Sequence, residues 1–217
     1  MYVVKTRTRK KAFIMRRTKE EADKTRETIL DTATALFATN GVTKTTLEDI
    51  AKAANVTRGA IYWHFKNKTE IFEALHDRLH RPFVEMIMQD LERDHDEPIE
   101  QLKDLCINLM LDLQKNEQKR QALILFNIKC DYAGELSIYK EKYRQEKKKA
   151  LKLFAKYFER ARDKGKLRDG EDPDMLCVAV QCFCKGILHE YLDNPTDKVF
   201  AKKIPILYER FFSYMGK

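Results

Sequence analysis

Residues 46–68 run TLEDIAKAANVTRGAIYWHFKNK, and the spacing inside this stretch decides the fold of the first third of the chain. Thr46 and Asp49 have capping-box spacing and open a short helix with Leu47, Ile50, Ala51 and Ala54 on one side. Asn55-Val56-Thr57 form a tight turn. Thr57 can cap a second short helix, in which Ile61 and Phe65, four apart, face inward. Two short helices on such a turn have the dimensions of a helix-turn-helix. Leu47, Ile50, Ala51, Val56 and Ile61 can form a small core that holds the second helix proud of the surface, and Ala51 and Ala54 allow close approach. The outward residues are then Thr57, Arg58, Gly59, Tyr62, Trp63 and His64. Arg58 can fork onto guanine O6 and N7, Thr57 can contact a base edge or a phosphate, and Gly59 permits close approach to a groove. Tyr62, His64 and Lys68 can reach phosphates, and Lys68 lies in the first turn of the next helix, whose backbone N–H groups also favour an anion. The competing reading makes Tyr62 and Trp63 merely packed aromatics.

Upstream, Thr18 and Glu21 have the capping spacing of a helix start, with Ala22, Ile29, Ala33, Leu36 and Phe37 as its apolar face. Asn40-Gly41 ends it, with Gly41 able to turn left-handed. Residues 1–14 lack a clear period and carry Lys5, Arg7, Arg9, Lys10 and Lys11. They are expected to be a disordered basic extension before a natural start at Met15. Downstream, Asn67 and Glu70 cap a fourth helix with Ile71, Phe72, Leu75, Leu79, Phe83 and Met86 as its stripe, and Pro82 predicts a bend or break in it. Five further helical segments follow, over Pro98–Lys115, Glu117–Asp131, Gly134–Lys164, Pro173–Asp193 and Thr196–Met215, with a kink at Pro205. No strand-like alternation appears. The fold class is all-α.

Composition supports this. The 217 residues include 43% hydrophobic and 35% charged, with only 7 Gly and 5 Pro. There is enough apolar material for a core, and too little Gly and Pro for a turn-rich β fold or a glycine-rich phosphate cradle. No apolar run approaches the ~20 residues of a membrane span, so no membrane partner is expected. Five cysteines, an odd count outside a small secreted framework, read as free thiols in a reducing cytoplasm. Residues 1–68 hold 15 Lys/Arg against 7 Asp/Glu, and the rest hold 27 of each, so the whole net charge of +8 sits in the first third. A basic head on a neutral body points to a polyanion partner for the head and another task for the body.

Residues 18–72 resemble the DNA-binding head of the TetR family of bacterial repressors. The matching residues are Ile29-Leu30, Ala33, Leu36-Phe37, Gly41, Thr45-Thr46, Ile50-Ala51, Ala54, Val56, Tyr62-Trp63-His64-Phe65, Lys68 and Ile71-Phe72. VTRGAIYWHFKNK, RRTKEEADKTRETIL and a weaker stretch from Ile124 to Glu135 are similar to the AcrR subgroup, which represses multidrug efflux genes. The resemblance implies a head of three helices over residues 15–66 and a ligand-binding and dimerisation body of six over 67–217. It implies a homodimer joined by the last two helices, a palindromic double-stranded DNA operator, and a small apolar or amphipathic inducer that releases DNA through the fourth helix. It adds Thr45 and Thr46 to the DNA-binding set. Independently, Phe183, Ile187, Tyr191, Phe200, Leu207, Tyr208, Phe211 and Phe212 exceed what one stripe toward a monomer core needs.

Pocket walls are assigned by type alone: Phe83, Met86, Cys106, Met110, Phe126, Cys130, Val178 and Cys182. Met and Cys adapt to varied apolar ligands, although such stripes also serve ordinary cores. Neither a metal nor a cofactor is expected. Cys177 and Cys184 share a face of one segment but lie about 10 Å apart, as do Cys182 and His189, so that segment offers no zinc pair at i, i+4. Redox sensing through a cysteine, or sensing of a metabolite for another pathway, are the alternatives to efflux control. H-E-x-x-H, G-x-S-x-G, Walker and paired-carboxylate motifs are missing, which weighs against an enzyme. A ligand-free architectural DNA binder would not need so large a neutral body.

Overall fold

The computed structural model describes residues 4–216 apart from Asp131 and Ala133, with side chains from Lys19 onward except at positions 135, 147, 150 and 151. The chain divides into two compact units, Met1–Leu75 and His76–Lys217. No strand occurs among the described residues; the one extended pairing is an isolated bridge of Leu167 with Gly216.

The first unit holds α1 (Val4–Asn40), α2 (Leu47–Ala53), α3 (Arg58–His64) and the first turns of α4 (Lys68–Leu91). α1 corrects an expectation: the extension is helical from Val4, and Thr18 is interior to the helix rather than its cap. Nothing between Val4 and Thr18 is Gly or Pro, and Lys and Arg are good helix formers, so an available cap does not force a start. The side chains of Lys5, Arg7, Arg9, Lys10, Lys11 and Thr18 lie outside the described ones. Ile29, Leu30, Ala33, Phe37, Ile50 and Ile61 are each fully buried, a seam that apolar burial at ~25 cal/mol per Å² stabilises. Gly41, at φ 80, closes α1 by donating its N–H to Phe37 O at 3.0 Å. Left-handed backbone costs an L-residue with a Cβ but not glycine.

The second unit holds the rest of α4, α5 (Pro98–Lys115), α6 (Glu117–Ile124), a π-helical turn (Leu125–Lys129), a 3-10 turn (Gly134–Leu136), α7 (Ser137–Asp163), α8 (Pro173–Asp193) and α9 (Lys198–Phe212). Pro at N1 after Asp172 starts α8, and Asp197 accepts the Val199 and Phe200 N–H groups at the head of α9. Pro82 and Pro205 sit inside α4 and α9, and both helices run on through them. α5 packs on α7 and α9, and α7 on α8, around Leu102, Tyr157, Phe158, Val180, Tyr191, Ile204 and Phe212. Asp90 is a polar anchor: its carboxylate accepts from Tyr157 Oη at 2.7 Å and its carbonyl from Gln101 Nε2 at 2.6 Å. Buried Lys103 is held by Glu100 and Glu209, which links α5 to α9.

α8 departs from the expectation that no apolar run approaches membrane length. Its 21 residues are long and apolar enough, by composition, to cross one. In the structure Leu176, Cys177, Val180, Ile187, Tyr191 and Leu192 turn into the core, so much of that apolar character is accounted for by packing against neighbouring helices.

Candidate functional site

The helix-turn-helix forms as its local chemistry dictates. Thr46 accepts from Asp49 N at 3.1 Å while the Asp49 carboxylate accepts from Thr46 N at 3.0 Å, a complete capping box. The Thr46 hydroxyl, which donates to the Asp49 carboxylate at 2.7 Å, and then the Thr46 N–H hold the Asp49 carboxyl below its usual range. Asn55 takes φ 54, which an Asn tolerates, and Val56 N donates back to Ala51 O at 3.0 Å. Thr57 Oγ1 accepts from Ala60 N at 3.1 Å and starts α3. Ile61 and Phe65 are buried and Val56 is half-buried, so α3 is fixed from beneath.

The outer face of α3 carries Arg58, Gly59, Tyr62 and Trp63, all exposed. Trp63 is 72% exposed, which removes the reading of Trp63 as a packed core aromatic. Its ring meets His64 edge-on at 4.5 Å. A Cβ built on Gly59 would meet nothing closer than Thr57 Oγ1 at 3.9 Å, so the packing of the head does not require glycine there. Arg58 lies over the Tyr62 ring at 5.6 Å and reaches Glu48 at 3.5 Å, and Tyr62 Oη donates to the same Glu48 oxygen at 3.1 Å. Half-buried His64 is held below its usual pKa by desolvation and then by Arg26, with Asp23 opposing.

Two of the sequence-assigned contacts have other work in the head. Thr45 is 1% exposed and its Oγ1 donates to Gly41 O at 2.8 Å, so it locks the α1–α2 turn and has no free surface to offer DNA. Lys68 Nζ donates to Thr43 O at 3.0 Å, tying the first turn of α4 to that same turn. Thr46 and Thr57 remain exposed, with their oxygens engaged as caps.

In the body, Cys106, Met110 and Phe126 are buried, and Phe83 and Met86 pack against the same core. Cys130, half-buried, ends the π-helical turn by donating its N–H to Leu125 O. Val178 and Cys182 are exposed on α8, turned away from the core, so they are not walls of an interior site in this chain. At ~100° per residue they fall on the face opposite Val180 and Cys184.

The structure adds a cluster that residue type alone did not single out. His76 and His80, four apart on α4, stack at 5.4 Å; His76 also lies flat on Tyr143 at 3.4 Å and edge-on to Phe126 at 5.4 Å. His76 is 9% exposed, and neither its Nδ1 nor His80 Nε2 has a hydrogen-bond partner. Glu146 Oε2 stands 3.6 Å from His76 Nδ1. Burial, then His80 and Lys142, push the His76 pKa down to about 4. The available signal was the i, i+4 histidine pair just beyond the head, one turn before Pro82. Among the described residues no group of three or more His, Cys, Asp or Glu side chains is arranged to hold a metal.

Residues 29–75 match the sequence profile of bacterial regulatory proteins of the tetR family. The transcriptional repressor BepR of Brucella suis biovar 1 (strain 1330) is 32% identical over 178 residues, covering 82% of this chain and 85% of that protein. The structure resembles a SmeT–triclosan complex, with TM-score 0.78, 31% identity, and 89% of this chain and 92% of that one covered. It also resembles NalD, the secondary repressor of the MexAB-OprM multidrug efflux pump in Pseudomonas aeruginosa, with TM-score 0.75, 29% identity, and 91% and 98% covered. The chain therefore belongs to the TetR family of bacterial regulatory proteins, as a transcriptional repressor of the AcrR type.

Proposed function

We propose that this repressor binds a palindromic operator as a homodimer, controls genes for a multidrug efflux pump, and is released from DNA by small apolar or amphipathic compounds. It acts in the cytoplasm by binding rather than catalysis. The residues at the DNA surface are Arg58 and Gly59 toward bases, with Thr46, Thr57, Tyr62, Trp63 and His64 toward the backbone. The domain division follows the same logic, with a reading head, then a sensing and pairing body.

The observation that carries ligand control is the buried pair of ring nitrogens, His80 Nε2 and His76 Nδ1, neither of which makes a hydrogen bond, with Glu146 3.6 Å from the latter. A buried polar atom without a partner costs roughly 1–3 kcal/mol, and a ligand hydroxyl or acid placed there recovers that cost. Phe126 and Tyr143 add aromatic faces for a flat compound, and Phe83, Met86, Cys106, Met110 and Cys130 supply soft surroundings. Pairing is supported by apolar side chains left in solvent on the last two helices: Met175 and Val178 on α8, Val199 and Ile206 on α9. Among the solved relatives, NalD is a repressor of a multidrug efflux pump and SmeT is found in complex with triclosan.

The test is an electrophoretic shift on palindromic efflux-promoter fragments, with and without triclosan. A salt-sensitive complex that triclosan dissolves in the wild type but not in a His76→Ala, His80→Ala variant is expected. A protein that leaves the fragments unshifted, or a complex released equally from both proteins, would overturn the operator or the histidine assignment respectively.

A further inference from the structure

Of the five cysteines, Cys106 on α5 and Cys184 on α8 touch: their sulfurs are 3.9 Å apart, although 78 residues separate them in sequence. Their settings differ. Cys106 is 3% exposed, sealed among Met110, Phe158 and other core residues. Cys184 is half-buried. The Tyr208 phenol, on α9, stands close enough to Cys184 for each to shift the other's titration. Cys177 is occupied by Gln181 Nε2 at 3.1 Å, and Cys182 lies about 200° round the helix from Cys184, on the exposed face.

We propose that Cys106 and Cys184 form a hydroperoxide-sensitive modification site whose closure to a disulfide lowers the repressor's affinity for its operator. The two thiols are suited to different halves of the reaction. The contact with Cys106, and then the nearby Tyr208 phenol, draw the Cys184 thiol down against its own burial, while Cys184 and burial push the Cys106 thiol well above its usual range. Burial, with the charge of Cys184 beside it, drives the Tyr208 phenol up, so it stays protonated as a donor. Cys184 is thus the nucleophile and Cys106 the resolving thiol.

In the first step the Cys184 thiolate attacks one oxygen of a hydroperoxide, ROOH. A sulfur–oxygen bond forms, the O–O bond breaks, and ROH leaves with the proton that the thiol gave up. Cys184 is now a sulfenic acid. In the second step the Cys106 sulfur attacks the Cys184 sulfur. The S–S bond forms, the S–O bond breaks, and water departs with the Cys106 proton. Two thiols lose two electrons, and the hydroperoxide is reduced to alcohol and water. A disulfide needs its sulfurs about 2.05 Å apart, so they must close by about 2 Å. That draws α5 and α8 together and removes the thiolate that Tyr208 supports, on the helices that carry the exposed apolar stripe.

The experiment uses the full chain, reduced and then treated with cumene hydroperoxide. Two of five thiols should disappear, and peptide mapping after alkylation should show the Cys106–Cys184 bridge. Operator affinity of the same sample should fall at least about tenfold and return with dithiothreitol. Cys106→Ala should stop at a sulfenic acid on Cys184 that dimedone traps, and should keep its grip on DNA. Should the alanine variant fail to fold, Tyr208→Phe serves instead: it keeps the ring and should slow thiol loss severalfold without changing which cysteines join. Oxidation confined to Cys182 or Cys130, or no bridge in the wild type, would overturn the site. A mapped bridge with unchanged affinity would overturn the regulatory step. Reduced protein that never bound DNA would instead refute the operator reading, so the two failures are distinct.

Discussion

Tyr62 Oη donates to Glu48 Oε1 across 3.1 Å, and Arg58 Nη2 stands 3.5 Å from that same oxygen. One carboxylate on α2 thus holds two of the exposed side chains of α3 that we propose to meet DNA. Both cation and carboxylate are well exposed, so the pair contributes little stability, about 0–1 kcal/mol. Its effect lies in competition, because a phosphate must displace Glu48 to reach either partner. Glu48→Gln keeps an acceptor for Tyr62 and removes the charge. Affinity for non-operator DNA, measured by fluorescence anisotropy, should rise up to about fivefold. A fall or no change would show that Glu48 orders the face rather than competing for it.

Arg58 and Lys68 should separate cleanly. Arg58→Ala should cost about 1–3 kcal/mol of operator binding and relax sequence preference, with no effect on melting. Lys68→Ala should instead leave sequence preference intact and lower the stability of the head by about 0.5–1.5 kcal/mol, because it removes the bond to Thr43 O. An Arg58→Ala variant that loses specific and nonspecific binding equally would contradict its base-reading role.

Gly59 supplies a test in which stability and function move in opposite directions. It is an exposed helical residue with room for a Cβ in the free protein. Gly59→Ala should raise stability by about 0.5–1 kcal/mol, since glycine is a poor helix former. Operator binding should fall, because the added methyl faces the groove. A variant both more stable and equally tight on DNA would place the groove floor elsewhere on α3.

The buried imidazole of His76 gives a pH dependence of definite sign. Unfolded, it takes a proton near 6.5; folded, burial first and then His80 and Lys142 delay that to about 4, against the opposing pull of Glu146 at 3.6 Å. Its contribution is whole above pH 6.5 and is lost as pH falls toward 4, by up to about 3 kcal/mol. Urea midpoints at pH 7.5 and pH 5 should differ more in the wild type than in His76→Gln. Equal differences would place the acid sensitivity in other groups, His64 among them.

What was legible in the sequence was local. The Thr46–Asp49 box, the Thr57 cap and the Asn55 turn act within four residues, and each forms as spacing predicts. α5 and α8 match their expected bounds because Pro98 and Pro173 fix their first turns. The start of α1 was not legible, since a cap permits a beginning without preventing a longer helix. Thr45 and Lys68 were assigned outward because their partners, Gly41 O and Thr43 O, are backbone atoms that no side-chain pattern reveals. The His76–Tyr143 and Cys106–Cys184 contacts join helices far apart in sequence, and helical periodicity says which face is inward but not what it meets there.

The partner-facing surface that we propose is the last case. Leu207 and Phe211, expected to face the second chain, are half-buried, and Phe211 stacks on Phe183 at 3.9 Å, so charging them would damage the monomer. The apolar and small residues left in solvent on α8 are Met175, Val178, Ala179, Cys182 and Gly186, at the three- and four-residue spacing of one stripe. They are small or flexible, which lets a second helix approach closely. Ile206 adds an exposed apolar side chain on α9. In a two-fold dimer each substitution acts twice, and a carboxylate pressed into an apolar seam without a partner is costly. Val178→Glu with Cys182→Glu should therefore give a monomer at micromolar concentration by sedimentation, with unchanged helical circular dichroism and a melting temperature that no longer depends on protein concentration. Operator binding should weaken by orders of magnitude, because a palindrome is gripped only by two heads at fixed separation. A variant that still sediments as a dimer and still holds the operator would move the interface off this stripe of α8.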